Sequence, residues 1–152
     1  MNKIFVYGTL KDGFPNNYLL KNKDYGKCTF CYNARTVNKY PLVVATEYDI
    51  PFMLDLEETG HCIDGEVYDV DNIMLKKLDE IESHPRFYRR TPIKVMPLQT
   101  DDDSIVECET YLLVDFNPDL LKMKFIKIYQ NSLKYVPSDK RPQDEIIKYI
   151  KK

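Results

Sequence analysis

Gly65-Glu-Val-Tyr-Asp-Val70 runs straight into Asp71-Asn-Ile-Met-Leu-Lys-Lys-Leu-Asp-Glu-Ile-Glu-Ser83, and the hydrophobic period changes between the two halves. The first half alternates small or polar with apolar residues, which predicts a half-buried strand. The second opens on Asp71, a capping residue, and spaces its apolar residues as an amphipathic helix does. At about 100° per residue, Met74, Leu75, Leu78 and Ile81 form one stripe, while Lys76, Lys77 and Glu80 fall opposite. Glu82 does not join the charged side. It follows Leu78 by four residues, so its carboxylate is expected on the apolar face at the helix end, pointing inward. Desolvation raises a carboxyl pKa, and a helix C-terminus disfavours negative charge. A group so placed exchanges protons near neutrality, as a general base must. The competing reading is a helix-end Glu paired with Arg86, Arg89 or Arg90, or turned out into water.

Working outward, Lys3-Ile-Phe-Val-Tyr7 is a β-branched and aromatic run ended by Gly8, the pattern of a buried strand feeding a tight loop. Strands are predicted over Lys27–Val37, Tyr40–Thr46, Thr91–Leu98 and Ile105–Val114, with Asp101–Ser104 as a hairpin tip. Asn16–Leu20 reads as a helical turn and Asp49–Phe52 as a short apolar loop. Asn117-Pro118-Asp119 predicts the start of a helix to Tyr135, and Pro142 that of another over Gln143–Lys151. Many strands around one central helix, without regular βα alternation, predict an α+β fold: a small mixed β-barrel with flanking helices. One domain over 1–152 is expected, with a helical C-terminal extension over 117–152.

Composition narrows the function. The 152 residues carry 22 Lys and Arg against 24 Asp and Glu, a net charge of −2. Such a chain has no broad cationic field for nucleic acid. No run approaches the roughly 20 apolar residues that span a bilayer, and Met1–Leu10 is too short and polar for a signal peptide. An intracellular, cytoplasmic protein is expected, with no nucleic-acid or membrane partner and with a monomer compatible with everything read. Cys28, Cys31, Cys62 and Cys108 are expected to be reduced thiols. Cys28 and Cys31 lack a second metal-ligating pair, and His61 and His84 have no ligand spacing, so no metal is expected.

Tyr7-Gly8-Thr9-Leu10-Lys11-Asp12-Gly13 places successive backbone N–H groups in a loop after a strand, the makings of an anion-binding nest. Phe14 and Pro15 stand where a phosphate loop requires Lys and Ser or Thr, so a phosphate loop is excluded. An ordinary strand-to-turn passage is the alternative. Tyr88 and Tyr111 are candidates for hydroxyls facing a pocket, and equally for core packing.

Val6-Tyr-Gly-Thr-Leu-Lys11, Tyr40-Pro-Leu-Val43, Ile50-Pro51, Gly65-Glu-Val-Tyr68, and Leu78-Asp-x-x-Glu82 followed by Tyr88-x-Arg90 occur in this order. Together they resemble the gamma-glutamylcyclotransferase superfamily over residues 3 to 115, and most closely its gamma-glutamylamine branch. The resemblance implies a small barrel with a cavity at one end. It implies cleavage of a γ-glutamyl amide by its own α-amine, giving 5-oxoproline and a free amine, with no cofactor. On the same basis, Glu82 is the acid/base residue and Tyr7, Gly8, Thr9 and Leu10 hold the γ-glutamyl group. Ile50, Pro51 and Phe52 wall the pocket, and Tyr88 and Tyr111 close it or bond to the substrate. Phe52 stands where the branch has tryptophan. The substrate class implied is a γ-glutamyl amine such as N-ε-(γ-glutamyl)lysine. Two alternatives stay open: a non-catalytic binding module on this fold, and a γ-glutamyl amide hydrolase using Glu82 to activate water.

Overall fold

A computed structural model describes residues 1–101 and 103–152. Five strands close into a barrel in the order β1 (Asn2–Val6), β5 (His61–Val70), β2 (Cys28–Tyr40), β6 (Tyr88–Pro97), β7 (Val106–Leu113). β1 runs antiparallel to β5, with Phe5 opposite Val67, and parallel to β7, with Ile4 opposite Glu109, so the barrel is mixed. β3 (Leu42–Ala45) and β4 (Ile50–Met53) form a separate two-stranded hairpin. Three helices flank these sheets: α1 (Tyr18–Lys21), α2 (Asn72–Ile81) and α3 (Gln143–Ile150). Among the described residues no helix is long and apolar enough to cross a membrane.

The apolar run Ile4–Tyr7, at the end of β1 and just beyond it, follows from burial on both faces. Phe5 and Tyr7 point into the barrel with Ala34, Ile63, Val67 and Leu112. Ile4 and Val6 point out to the layer made with Met74 and Leu78 of α2. Gly65 lets β1 and β5 approach, because a Cβ there would collide with the Val6 carbonyl oxygen. A third cluster joins the β3–β4 hairpin, through Val43, Ile50 and Phe52, to Leu120, Ile146 and Ile150 of the C-terminal segment.

α2 begins at Asp71, whose side chain accepts from Met74 N at 2.8 Å, and ends where Ser83 takes a positive φ of 52°. Met74 and Leu78 are fully buried, Leu75 is half-buried, and Ile81 at the end is exposed.

Several sequence expectations are corrected. Residues 119–135 are not a helix. Asn117 caps Asp119 N as anticipated, but only a short 3-10 turn, Pro118–Lys122, results. Beyond it the chain becomes an irregular strap, because long-range partners outcompete helical ones. Ile126 N donates to Leu42 O, Asp64 N donates to Lys127 O, and Tyr129 is buried in the barrel with its hydroxyl donating to Asp49 O. Ile50–Met53 is a strand, not a loop: Pro51 fits because β4 pairs on one side only. The two strands expected over 27–37 and 40–46 both form, with the break moved: β2 continues to Tyr40, with register shifts between Phe30 and Tyr32 and between Arg35 and Lys39, and β3 follows as Leu42–Ala45. The expected tip Asp101–Ser104 includes Asp102, outside the described residues; β6 and β7 on either side pair antiparallel.

Candidate functional site

A cavity of about 540 Å³ opens where the exit of β1, the end of α2, the β3–β4 hairpin and the C-terminal segment meet. Its volume falls within the roughly 300–1,000 Å³ usual for small-molecule sites. Every site residue anticipated from sequence lines it: Glu82, the loop Tyr7, Gly8, Thr9 and Leu10, the hairpin residues Ile50, Pro51 and Phe52, and Tyr88 and Tyr111. The sequence reading did not anticipate Asn16, Arg86, Tyr135, Arg141 or Lys151, which also line it.

Glu82 is the residue that caps the C-terminal end of α2, its backbone N–H donating to Leu78 O at 2.9 Å. The residue is half-buried and lines the cavity. Among the described residues no side chain forms an ion pair or hydrogen bond with its carboxylate. The pairing with Arg86, Arg89 or Arg90 held open from sequence does not form. Arg90 is engaged elsewhere, by Asp79 at 2.9 Å and Glu109 at 3.2 Å. Burial, unrelieved by any cation, pushes the Glu82 carboxyl up to about 7.

The tyrosines around Glu82 form a consistent set. The Tyr7 hydroxyl donates to Tyr111 O at 2.7 Å, the Tyr111 hydroxyl to Asp79 Oδ1 at 2.7 Å, and the Tyr88 hydroxyl to Pro51 O at 3.4 Å. Burial raises all three well above the ordinary phenol value, and the neighbouring Glu82 charge raises them further. They are therefore neutral, with each O–H proton directed at a protein acceptor. What they present to the cavity is oxygen lone pairs. Phe52 stacks on Tyr88, ring centroids 6.2 Å apart and planes 14° from parallel, which fixes the aromatic wall.

The loop after β1 offers the opposite polarity. Lys11 N is tied to Gly8 O at 3.1 Å and Asn16 N to Thr9 O at 2.9 Å, which shapes a tight turn. Among the described residues the N–H groups of Gly8, Thr9 and Leu10 meet no acceptor. Asn16 Nδ2 braces the turn by donating to Thr9 Oγ1 and to the Tyr135 hydroxyl. Gly8 is required by contact rather than by φ, since a Cβ there would lie 2.8 Å from Pro51 Cγ. The site thus sets acceptors, Glu82 and phenol oxygens, against a turn of donors. It is suited to a small molecule carrying a cation next to an anion or a polarised carbonyl.

Cys28 and Cys31 lie on β2, away from this cavity. Lys151 closes the site's outer edge, its Nζ donating to Arg86 O at 3.0 Å, Phe87 O at 3.1 Å and Val114 O.

Comparison with known proteins is consistent along most of the chain. The family model described as gamma-glutamyl cyclotransferase, AIG2-like, matches residues 4–127. A gamma-glutamylaminecyclotransferase from Rattus norvegicus is 39% identical over 150 residues, covering 93% of this chain and 100% of the relative. The protein of that name from Homo sapiens is 36% identical over 153 residues, with the same coverage of both chains. The crystal structure of an AIG2-like protein from Mus musculus superposes with a TM-score of 0.86 at 36% identity, covering 93% of this chain and 99% of that one.

Proposed function

This chain belongs to the gamma-glutamyl cyclotransferase, AIG2-like family, and from that premise we propose that it is a cofactor-independent cyclotransferase whose substrate is a γ-glutamyl amine and whose acid/base residue is Glu82. The observation that carries the assignment is the unpaired Glu82 carboxylate, facing the cavity and held near 7 by burial. A buried carboxylate without a partner is costly unless it has work to do.

Both the nucleophile and the carbonyl belong to one substrate molecule, so folding the γ-glutamyl chain in the cavity makes the attack intramolecular, with effective molarities of about 10⁵ to 10⁸ M. The apolar wall of Ile50, Pro51 and Phe52 and the stacked Tyr88 hold the bent chain. Glu82 takes a proton from the α-ammonium, and the phenol oxygens of Tyr7 and Tyr111 accept from the same group. The freed amine attacks the γ-carbonyl, forming the ring C–N bond. Charge builds on the carbonyl oxygen, where donors of the Tyr7–Leu10 turn stabilise it or bind the neighbouring α-carboxylate. Glu82, now protonated, gives its proton to the departing nitrogen as the old amide C–N bond breaks. The extra proton on the ring nitrogen follows by way of Glu82, the amine leaves as an ammonium, and Glu82 ends ionised as it began. A carboxyl near 7 suits both transfers better than one near 4.5.

The test is incubation of the protein with N-ε-(γ-glutamyl)lysine, a γ-glutamyl α-amino acid, or buffer, with products read by mass. Release of 5-oxoproline from the lysine derivative is expected. Release of glutamate identifies a hydrolase, and no turnover of either amide identifies a binding module.

A further inference from the structure

Of the two histidines, His84 lies two residues past Glu82, and the chemistry above leaves it unused. It is half-buried and does not line the cavity, and among the described residues no group of three metal-ligating side chains forms. What it touches is β6 and β7. The Arg90 N–H donates to His84 Nδ1 at 2.9 Å, and the imidazole stands edge-on to the Tyr111 ring, with centroids 6.5 Å apart and planes at 77°. A ring nitrogen that accepts carries no proton, so in this arrangement the ring hydrogen is on Nε2. The bond fills a place that no strand supplies: β6 meets β2 only at Val95, Met96 and Pro97, which leaves the Arg90 amide on an edge where it needs another acceptor.

Arg90 is thereby gripped twice. Its guanidinium meets Asp79 Oδ2 at 2.9 Å, three residues before Glu82, and its amide meets His84, two residues after it. Glu82 is carried on a short segment pinned to one β6 residue from both sides. Between the pins α2 has ended, and Ser83 takes a φ of 52°, a region that residues other than glycine seldom adopt. The bonds from His84 N to Asp79 O at 2.9 Å and from Phe87 N to Ser83 O at 3.0 Å fix the shape of the turn but not its seat on the barrel. A backbone tie to β6, from Tyr88 N to Glu82 O, is 3.3 Å long, beyond the usual range for such a bond. His84 supplies a shorter one.

Resting on the γ-glutamyl amine reading above, we propose that His84 is a positioning residue for the acid/base step: by accepting the Arg90 N–H it seats the turn after α2 on β6 and so holds Glu82 in the cavity lining, without itself touching substrate. Arg90 stands opposite Tyr111 in the β6–β7 ladder, and the Tyr111 hydroxyl donates to Asp79 at 2.7 Å, so the same seat registers Glu82 against that cavity tyrosine. Proton transfer needs donor and acceptor within hydrogen-bond reach. A displacement of about 1 Å in a reacting group costs on the order of 100-fold in rate, so this one bond weighs more on turnover than on substrate binding.

The experiment separates the acceptor from the ring. His84→Phe keeps an aromatic ring beside Tyr111 and removes Nδ1, His84→Gln carries its polar atoms out toward the Nε2 position, and His84→Asn sets an amide oxygen near that of Nδ1. With N-ε-(γ-glutamyl)lysine, His84→Phe and His84→Gln are expected to lower kcat about 10- to 100-fold with KM changed less than about twofold, and His84→Asn to recover kcat to within about threefold of the unmutated protein. Losses under about twofold in both variants that remove the acceptor, an equal loss in His84→Asn, or a loss carried by KM overturns the proposal.

A second measurement reads the placement of Glu82 without turnover. Glu82→Gln is introduced into each protein, and urea midpoints are compared at pH 4 and pH 8, on either side of the Glu82 value of about 7. The gain from Glu82→Gln at pH 8 is expected with His84 or His84→Asn, where the carboxylate is kept from water, and is expected to fall by at least about half in His84→Phe and His84→Gln. An undiminished gain overturns the proposal. The same curves show which variants are folded at the assay temperature. Absence of 5-oxoproline from the unmutated protein sinks the cyclotransferase reading alone, since the urea comparison still decides whether His84 seats Glu82.

Discussion

Two polar regions meet at the C-terminal end of α2. On the outer side, Asp79 accepts from Arg90 and from the Tyr111 hydroxyl, and Arg90 also reaches Glu109, so every charge has a partner. On the cavity side, three residues further along, Glu82 has none among the described residues. Side-chain chemistry is nearly identical and backbone position differs by less than one turn; what differs is whether a cation was brought within reach. The paired region holds the helix end and Tyr111 in place. The unpaired region retains a proton that can move. A carboxylate useful for proton transfer sits here beside one that, with Glu109, engages Arg90.

The comparison breaks most decisively at Glu82 itself. Glu82→Gln keeps the size and removes the ionisation, and is expected to lower 5-oxoproline formation by about 10² to 10⁴; steady-state turnover within a few-fold of the unmutated protein removes Glu82 from the chemistry. Next in size, Asp79→Ala strips a partner from Arg90 and the acceptor from Tyr111. It is expected to cost about 2 to 3 kcal/mol in urea denaturation, and a change under 0.5 kcal/mol would show that this cluster does not anchor the helix.

Stability should respond in the opposite sense at Glu82. Its value rises from 4.5 to about 7 on folding. Below about pH 4.5 both folded and unfolded states are protonated and burial carries no ionic penalty. Between there and about 7 the unfolded chain has released a proton that the folded chain keeps, so stability falls as pH rises, and above 7 the penalty is constant. Glu82→Gln should therefore stabilise the fold by about 1 to 3 kcal/mol at pH 8, allowing for access from the cavity, and by almost nothing at pH 4. Equal effects at the two pH values would show the carboxylate to be solvated. The smallest effect is expected far from either region: Cys28→Ser with Cys31→Ser should leave turnover unchanged and shift stability by less than about 1 kcal/mol, and a strong loss of activity would give that pair a role.

The legible parts of the site share one property, closeness in sequence to a periodic element. Glu82 was placed by its four-residue offset from Leu78, and Tyr7 to Leu10 by the end of an apolar strand at Gly8. The illegible parts lack it. Residues 119–135 have helix-start chemistry, and a local reading cannot know that Tyr129 will fill the barrel or that Ile126 will bond Leu42. Pro51 argued for a loop because proline lacks a ladder donor, and only the assembled hairpin, where β4 pairs with β3 on one edge, makes room for it in a strand. Arg141 follows an irregular strap, and that its Nε–H meets no acceptor among the described residues depends on how that strap packs, which no local pattern carries.

Periodicity along the chain by itself determined the barrel strands and the central helix, and put one carboxylate on that helix's apolar side, since these depend on 2- and 3.6-residue repeats that any segment carries within itself. Only the tertiary structure decided that Arg90 goes to Asp79 and Glu109 instead of Glu82, and that the C-terminal segment supplies a wall of the cavity, Arg141 and Lys151 included. Those outcomes turn on which distant groups the closing barrel brings together, and on burial that outweighs the fractions of a kcal/mol per residue expressed in local propensity.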